Sequence, residues 1–417
     1  MQVIVVGGGA AGFFSAIACA EAHPHTQVRL LEAGKTPLQK VRISGGGRCN
    51  VTHACFDAAE LVNFYPRGGK ALRGAFSRFQ PGDTVAWFES HGVRLKIEED
   101  GRMFPTTDDS ATIVDCLNQS ARQVGVRIQT SAAVIDVERR NDRFAVQLRS
   151  GEWLDGDRLL LATGSSPQGH RLAKNLGHTL QPPVPSLFTF NIPDSALTAL
   201  AGVSVPHAAL QLQCPDTPLL EQVGPVLITH WGLSGPAVLK LSAWGARYLH
   251  ASRYHATLHI NWLPHHTSEN LQQYLRETRE QWPKRAIAST PLFALPRRLW
   301  GYLTAQAEIP PAHRWANLSR RQIHQLVQSL TQSTFTVRGK GVFKEEFVTC
   351  GGVCLDEVNF KSLESRRCPG LHFAGEILDI DGITGGFNFQ SAWTTGWLAG
   401  QAMGEHTAPV AVDGFCK

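Results

Sequence analysis

The spacing of apolar residues changes several times along the chain, and each change marks an element. Met1 to Val6 is apolar, β-branched and uncharged, which predicts a buried parallel strand. Phe13 to Ala22 has helical composition, and a second apolar run, Val28 to Leu31, ends at Glu32. Thr84 to His91 reads as helix. Val93 to Ile97 alternates, Glu98 to Gly101 turns and Arg102 to Pro105 returns, which predicts a hairpin. Ile113, Leu117, Ala121 and Val124 line one face of a further helix. Strand patterns follow at Ile128–Val137, Phe144–Leu148 and Asp157–Gly164, a three-strand meander. Pro182, Pro183, Pro185 and Pro193 then mark a crossover into another domain.

The chain beyond them is β-rich to about Leu263, and Ser234-Gly235-Pro236 within it resembles a helix start with proline near the first position. Helices are expected at Asn270–Trp282 and Ser319–Leu330. In the second, Ser319 and Gln322 form a capping box, and Ile323, Leu326, Val327 and Leu330 share a face. Strand character returns at Phe347–Val353 and Gly370–Glu376, and a helix runs from about Phe389 to Met403.

The first strand runs directly into Gly7-Gly8-Gly9-Ala10-Ala11-Gly12 and then into helix. Gly7, Gly9 and Gly12 therefore fit G-x-G-x-x-G in the context that motif needs. Gly7 allows the tight turn, Gly9 lets the backbone approach a pyrophosphate, and Gly12 lets helix and strand pack closely. The phosphates would sit on the free N–H groups of the helix. Glu32 follows Gly12 by 20 positions (32 − 12), where an acid holds ribose hydroxyls. A glycine-rich turn in some other α/β protein would leave Glu32 unexplained, so an adenine dinucleotide is the expected ligand.

Composition narrows the class further. The 417 residues suffice for two or three domains, and 43% hydrophobic with 18% charged residues is an ordinary globular balance. A net charge of +5 does not by itself predict nucleic-acid binding. Nine scattered cysteines argue for a reducing compartment rather than a disulfide framework. No apolar run reaches 18 residues, and the N-terminus lacks a basic signal-peptide region. A cytoplasmic protein without membrane spans is expected.

Lys40 to Thr52 contains three consecutive glycines among Ser, Arg, Cys and Asn, a loop able to lie against a planar ligand. Its N–H groups and Arg48 could face phosphate or flavin oxygens, although a plain surface turn would also use Gly-Gly-Gly. Cys49 and Cys55 are spaced C-x5-C, which does not support a helical dithiol pair; a single buried or flavin-adjacent thiol is expected. Near the end, Gly385-Gly386 precedes a helix, an anion-friendly start. His255, His259, His265 and His266 cluster without cysteine or carboxylate at ligand spacing, so no metal site is expected.

These pieces together resemble the YhiN/BaiN-type FAD-dependent oxidoreductases. The resemblance rests on Ile43–Thr52, Leu160–Pro167, Thr229–Leu239, Val348–Val353 and Ala374–Trp393, in family order across nearly the whole chain. It implies an α/β fold: a discontinuous FAD-binding Rossmann-like domain of the glutathione-reductase type, with an inserted domain that is part β-barrel-like and part helical. The FAD domain would comprise 1–187 and 342–417, and the insert 188–341, β-rich over 188–267 and helical over 268–341. The meander ending in Ala-Thr-Gly is likewise how FAD-type Rossmann domains differ from NAD-type ones. Phe387 stands where the family more often has tyrosine, Thr384 and Cys350 also depart from its pattern, and the helical part of the insert matches poorly. A divergent subfamily is implied.

On this reading Gly7, Gly9, Ala11 and Gly12 bind the pyrophosphate of noncovalent FAD, and Glu32 its adenosine ribose. Val134 offers a backbone contact to adenine, and Gly46, Gly47, Arg48 and Cys49 line the flavin. Gly164 closes the strand beside the cofactor, Gly375 and Glu376 meet the ribityl chain, and Gly386, Phe387 and Asn388 hold the pyrimidine edge. No proton-transfer residue stands out; His230, beside Trp231, is the weak catalytic candidate, and a packed histidine is the competing reading.

Three functions compete: an NAD(P)H-linked reductase of a small organic substrate, an oxidase using oxygen, and an RNA-modifying or RNA-binding flavoprotein. For the last, the basic insert is the only hint and no RNA module is recognisable, so a small-molecule substrate is expected and a nucleic-acid partner is not. Residues 165–345 contain no second strand-linked glycine fingerprint, so NAD(P)H is expected to dock transiently over the flavin, at the cleft between FAD domain and insert. Oligomeric state is not legible. The protein is expected to copurify with FAD, and Gly9→Val to abolish binding; colourless protein that takes up no FAD on titration defeats the reading.

Overall fold

A computed structural model describes residues 1–341 and 348–405. The expected boundary residue 342, and Phe347 of an expected strand, lie outside the described residues. The chain forms two compact units, Met1–Pro183 with the segment from Val348 onward, and Val184–Phe347.

The first unit is built on a seven-stranded sheet. Its order is Val358–Asn359, Glu364–Ser365, Leu371–Phe373, Arg158–Leu161, β1 (Gln2–Val6), β2 (Gln27–Leu31) and Arg127–Gln129. The five strands from Leu371–Phe373 to Arg127–Gln129 are parallel, and an antiparallel hairpin closes one edge. Val3, Ile4, Val5 and Val6 are all buried, as an uncharged β-branched run in a sheet covered on both faces must be. Helix α1 (Ala10–Ala22) is buried from Ala11 to Ala20. One side lies on the sheet, and the other is covered by the long helix Phe387–Met403. A Cβ on Gly396 would stand 2.9 Å from the Ala11 carbonyl oxygen, and one on Gly400 2.6 Å from that of Ser15. The two helices meet backbone to backbone there.

The meander differs from its expectation. Ile128–Val137 is not one strand: Arg127–Gln129 ends the parallel sheet, and Val134–Arg140 begins a separate antiparallel sheet with Arg143–Leu148 and Trp153–Gly156. The break is set by contacts with residues far back in the chain. Ser131 takes a left-handed φ of 52°, its N–H donates to Gly34, and the Ala132 N–H donates to the carbonyl oxygen of Glu32. These bonds draw the segment across the end of β2. Arg158–Leu161 leaves the meander and pairs with β1. The proline-rich crossover is itself a strand, Leu180–Ser186, paired with Val348–Val353. The two units divide within that strand, between Pro183 and Val184.

The second unit holds a six-stranded sheet ordered Phe190–Asn191, Gly232–Ser234, Leu220–Thr229, Ser204–Gln213, His255–Asn261 and Ser333–Arg338. Every pairing between these strands is antiparallel. A bridge from Phe190 to Lys340 joins the first strand to the chain just past the last, closing the sheet into a barrel. The region expected to be helical over 268–341 is therefore corrected at its end. Phe335 and Val337 are buried while Thr334, Thr336 and Arg338 are exposed, a period of two that makes Ser333–Arg338 a barrel strand. Before it, Ser319 and Gln322 form the capping box, with the Gln322 N–H 3.2 Å from Ser319 Oγ. Ile323, Leu326, Val327 and Leu330 face the core.

The helix contact predicts opposite outcomes at two glycines. Gly400→Ala overpacks it and should destabilise the protein by about 1–3 kcal/mol. Gly74, exposed in a helix with nothing near its Cβ direction, should tolerate Gly74→Ala with a gain of about 0.5–1 kcal/mol. Denaturant midpoints measure both; an unchanged Gly400→Ala midpoint contradicts the close approach.

Candidate functional site

The glycine fingerprint divides its work as its chemistry requires. Gly7 has φ +114°, and a Cβ there would lie 2.3 Å from the Ala162 oxygen of the neighbouring strand. A Cβ on Gly12 would lie 1.9 Å from the Gly7 oxygen, inside the turn. Gly9 differs: its φ is −90°, which any residue adopts, and nothing lies within 4 Å of its Cβ position. It precedes α1 without a side-chain cap, so the first-turn N–H groups face that open space. A side chain at Gly9 would therefore fill the approach and leave the fold intact.

Glu32 ends β2 beside this turn. Its Oε2 accepts the Gly8 N–H at 2.8 Å and its Oε1 the Gly34 N–H at 2.6 Å. Two amides orient the carboxylate, and each oxygen keeps a further lone pair for a hydroxyl donor. Gly8 escapes a reading of the motif, where it is a variable position. Here its Cβ would lie 2.8 Å from Glu32 Oε2, so the carboxylate's seat excludes a side chain. Val134, buried, opens the hairpin two residues after the Ala132–Glu32 bond.

The triple-glycine loop begins as a helix, α2 (Gln39–Gly47), that breaks at Ser44. Gly45, Gly46 and Gly47 all have positive φ, and Cys49 follows at +59°. Gly45 packs against Phe104, whereas Gly46 and Gly47 have nothing within 4 Å of their Cβ positions. Cys49 is fully buried, and burial pushes its thiol up to about 12 despite a Ser44 hydrogen bond. Cys49 and Cys55 are both free thiols. Arg48, expected to face phosphate or flavin oxygens, has partners within the protein. Its guanidinium meets Glu98 at 2.6 Å and Asp108 at 3.5 Å, and lies 4.0 Å over the Phe104 ring. Two carboxylates and an aromatic face outcompete a solvent-exposed orientation, so Arg48 anchors the loop to the Leu95–Pro105 hairpin.

The last segment meets the first. Gly375, at φ +74°, places its Cβ direction 2.8 Å from Ala11 Cβ, and its N–H donates to Thr395 Oγ1 at 2.9 Å. Glu376 bonds Lys40 Nζ at 2.8 Å and the Thr349 N–H at 2.9 Å. Gly164 stands opposite, 3.6 Å from Glu376 Oε2 in its Cβ direction. Lys40 went unnoticed in the sequence because its partner is 336 residues away. Two buried atoms here have no partner, Thr163 Oγ1 and His170 Nε2. Burial also lowers the His170 pKa, against the pull of Glu376. Unpaired polar atoms and the open space at Gly9, Gly46 and Gly47 fit a polar cofactor threaded between these segments.

Gly386, at φ +95°, caps the long helix with its Cβ direction 2.5 Å from the Thr52 oxygen. The Phe387 ring is buried, stacked on Phe64 at 4.4 Å and His53 at 4.6 Å. Asn388 accepts from the Gly382 N–H and donates to its oxygen, both at 2.8 Å. Both side chains hold the turn, so the helix's first N–H groups are what this end presents to a ligand. Asp381, fully buried, pairs with Arg67, whose Nε lies 2.5 Å from Oδ1. His230 lies in the second unit, exposed on the turn between Leu220–Thr229 and Gly232–Ser234. No helix among the described residues is long and apolar enough to cross a membrane.

A parallel sheet with this fingerprint, acid and discontinuous last segment defines an FAD-binding oxidoreductase of the Rossmann type. The chain matches the HI0933-like protein Rossmann domain over residues 1–402 and belongs to that family. It is 31% identical over 414 residues to a ribosomal RNA dihydrouridine synthase of Escherichia coli K12, covering 96% of this chain and 98% of that one. It is 29% identical over 412 residues to a 3-dehydro-bile acid delta(4,6)-reductase of Clostridium scindens, covering 97% and 99%. A 3-ketosteroid-delta4-(5alpha)-dehydrogenase from Rhodococcus jostii RHA1 superposes with a TM-score of 0.51 over 97% of both chains, at 14% identity, a likeness of fold alone.

The buried Cys49 thiol predicts inertness. Iodoacetamide at pH 8 should leave Cys49 unmodified in the native protein and label it after unfolding, and Cys49→Ser should remain folded and yellow. Rapid native labelling of Cys49, or a Cys49–Cys55 disulfide coupled to the flavin, overturns this.

Proposed function

We propose that this protein reduces a carbon–carbon double bond conjugated to a carbonyl, with a uracil base in RNA as substrate and NAD(P)H as transient reductant. Both kinds of named relative support the reaction class. A 3-oxo steroid alkene and the 5,6-double bond of uracil are each polarised by a carbonyl. Reduction of such a bond needs a hydride at the carbon β to the carbonyl and a proton at the α carbon, and reduced FAD held by these residues would supply the hydride. The chain's part is to orient the cofactor: the Gly9 turn and α1 take its phosphates, Glu32 its ribose, and the Gly386 helix start its ring edge.

The observation that carries the RNA reading is the distribution of charge. Val184–Phe347 holds 15 Lys and Arg against 9 Asp and Glu, a net of +6, while the rest of the chain holds 25 against 26, a net of −1. A basic unit on a neutral cofactor domain suits a polyanionic substrate. The antiparallel barrel also offers no parallel-sheet nucleotide site. A reductant without such a site is expected to leave before the substrate binds, and the kinetics to be ping-pong. A small organic enone is the second reading, supported by the Clostridium scindens relative.

Anaerobic stopped-flow measurement separates these readings. The bound flavin should be bleached by NADH or NADPH and recoloured by an unmodified ribosomal RNA transcript, with dihydrouridine appearing in that RNA. Recolouring by a 4-en-3-one steroid but not RNA would move the assignment to small molecules. Recolouring by oxygen alone would make the protein an oxidase.

A further inference from the structure

We propose that one mouth of the barrel carries a nucleotide subsite, in which Trp231 stacks a base of single-stranded RNA and Arg338 takes its phosphate. A cleft of ≈420 Å³ in the second unit is lined by Asn191 to Ser195, Thr198, His230, Trp231 and Arg338. That volume lies in the lower part of the about 300–1,000 Å³ range of ligand pockets. The inference rests on the RNA reading above and assigns that substrate a second point of contact.

An exposed tryptophan alone would mean little. Here Trp231 is 54% exposed on a turn anchored by backbone hydrogen bonds. The Trp231 oxygen accepts the Ile192 N–H at 2.9 Å, and its own N–H donates to Thr229 Oγ1 at 3.3 Å. Gly232 locks the turn against the first barrel strand, since its Cβ would lie 2.2 Å from the Phe190 oxygen. The same strand fixes the other wall. Asn191 donates from its backbone to Gly339 at 3.1 Å and from Nδ2 to the Lys340 oxygen at 3.0 Å, immediately after Arg338. The barrel seam thus fixes the backbones that carry Trp231 and Arg338 on facing walls, and their exposed side chains take up their order on binding.

The charges agree. Arg338 is exposed and pairs with no carboxylate among the described residues. Asp194 is the only acid among the described lining residues, and both its oxygens are engaged, by the Leu197 N–H at 2.9 Å and Tyr302 Oη at 2.9 Å. An aromatic face, an unpaired guanidinium and an imidazole together suit a nucleotide: the base has a π-face, the phosphate accepts two N–H bonds, and His230 can bond a base edge or ribose hydroxyl. This also gives His230 a binding role in place of proton transfer.

The test uses the full-length holoprotein and a fluorescently labelled, uracil-containing RNA dodecamer, followed by anisotropy across a salt series. Trp231→Ala should weaken binding about tenfold, the range of one lost stack, and Trp231→Phe should stay within about threefold of wild type. Arg338→Gln should flatten the slope of log K against log[salt] by about 0.7, one phosphate contact on a single strand. Unchanged flavin absorbance would show that the variants are folded. Wild-type binding that neither Trp231→Ala nor Arg338→Gln alters would overturn the subsite and leave the RNA reading standing. A wild-type protein that does not retain RNA would overturn both. Loss of NADPH affinity in the variants, with RNA binding intact, would reassign the cleft to the reductant and overturn the proposal.

Discussion

The rest of the first unit depends on the close approach of α1 to the helix Phe387–Met403. Two glycines one turn apart, Gly396 and Gly400, let one backbone rest on the other, with Cβ positions under 3 Å from the carbonyl oxygens of Ala11 and Ser15. Contact at that range fixes the helices in register as well as in distance. Gly375 is seated against Ala11 and tied to Thr395 by the same arrangement. The phosphate turn, the Gly375–Glu376 turn and the Gly386 helix start are therefore positioned by one packing contact.

Much of the fold was legible because its signals are local. The β-branched first strand, the Ser319 capping box and the Leu95–Pro105 hairpin each announce themselves within a dozen residues. The failures involve distant partners. Ile128–Val137 looks like one strand until the Ser131 and Ala132 amides are seen bonded to Gly34 and Glu32. The ion pairs of Arg48 with Glu98 and Asp108, some fifty and sixty residues on, likewise left no local sign. Ser333–Arg338 was absorbed into a helical region because six residues of alternation are a weak signal next to long amphipathic helices. Of the site, the fingerprint glycines were readable: a Cβ on Gly7 or Gly12 would clash, and Gly9 keeps the approach to the helix start open. Lys40, Gly8 and the Arg67–Asp381 pair were not.

Most contacts this unit can offer a cofactor are backbone contacts. Phe387 and Asn388 direct their side chains into the protein, and the helix start remains available whichever aromatic stands at 387. A tyrosine there would need a partner for its hydroxyl within the stack of Phe64 and His53. Exchange of Phe387 for tyrosine would thus change packing rather than a ligand contact. Glu32 and Glu376 behave differently: each is held by backbone N–H groups before any ligand arrives, a pre-ordering that lowers the entropy lost on binding.

The discontinuous first unit also has a consequence during synthesis. Helix α1 is apolar on every face, and its cover begins 365 residues after it ends (387 − 22). At roughly 5–20 residues per second, that gap corresponds to about 20–70 s of translation. For that interval the nascent chain displays a sticky helix on an unfinished sheet, while the barrel between them can fold locally. The Rossmann half of the molecule is consequently the part most exposed to holdase chaperones, and cofactor loading is a late event in the protein's biogenesis.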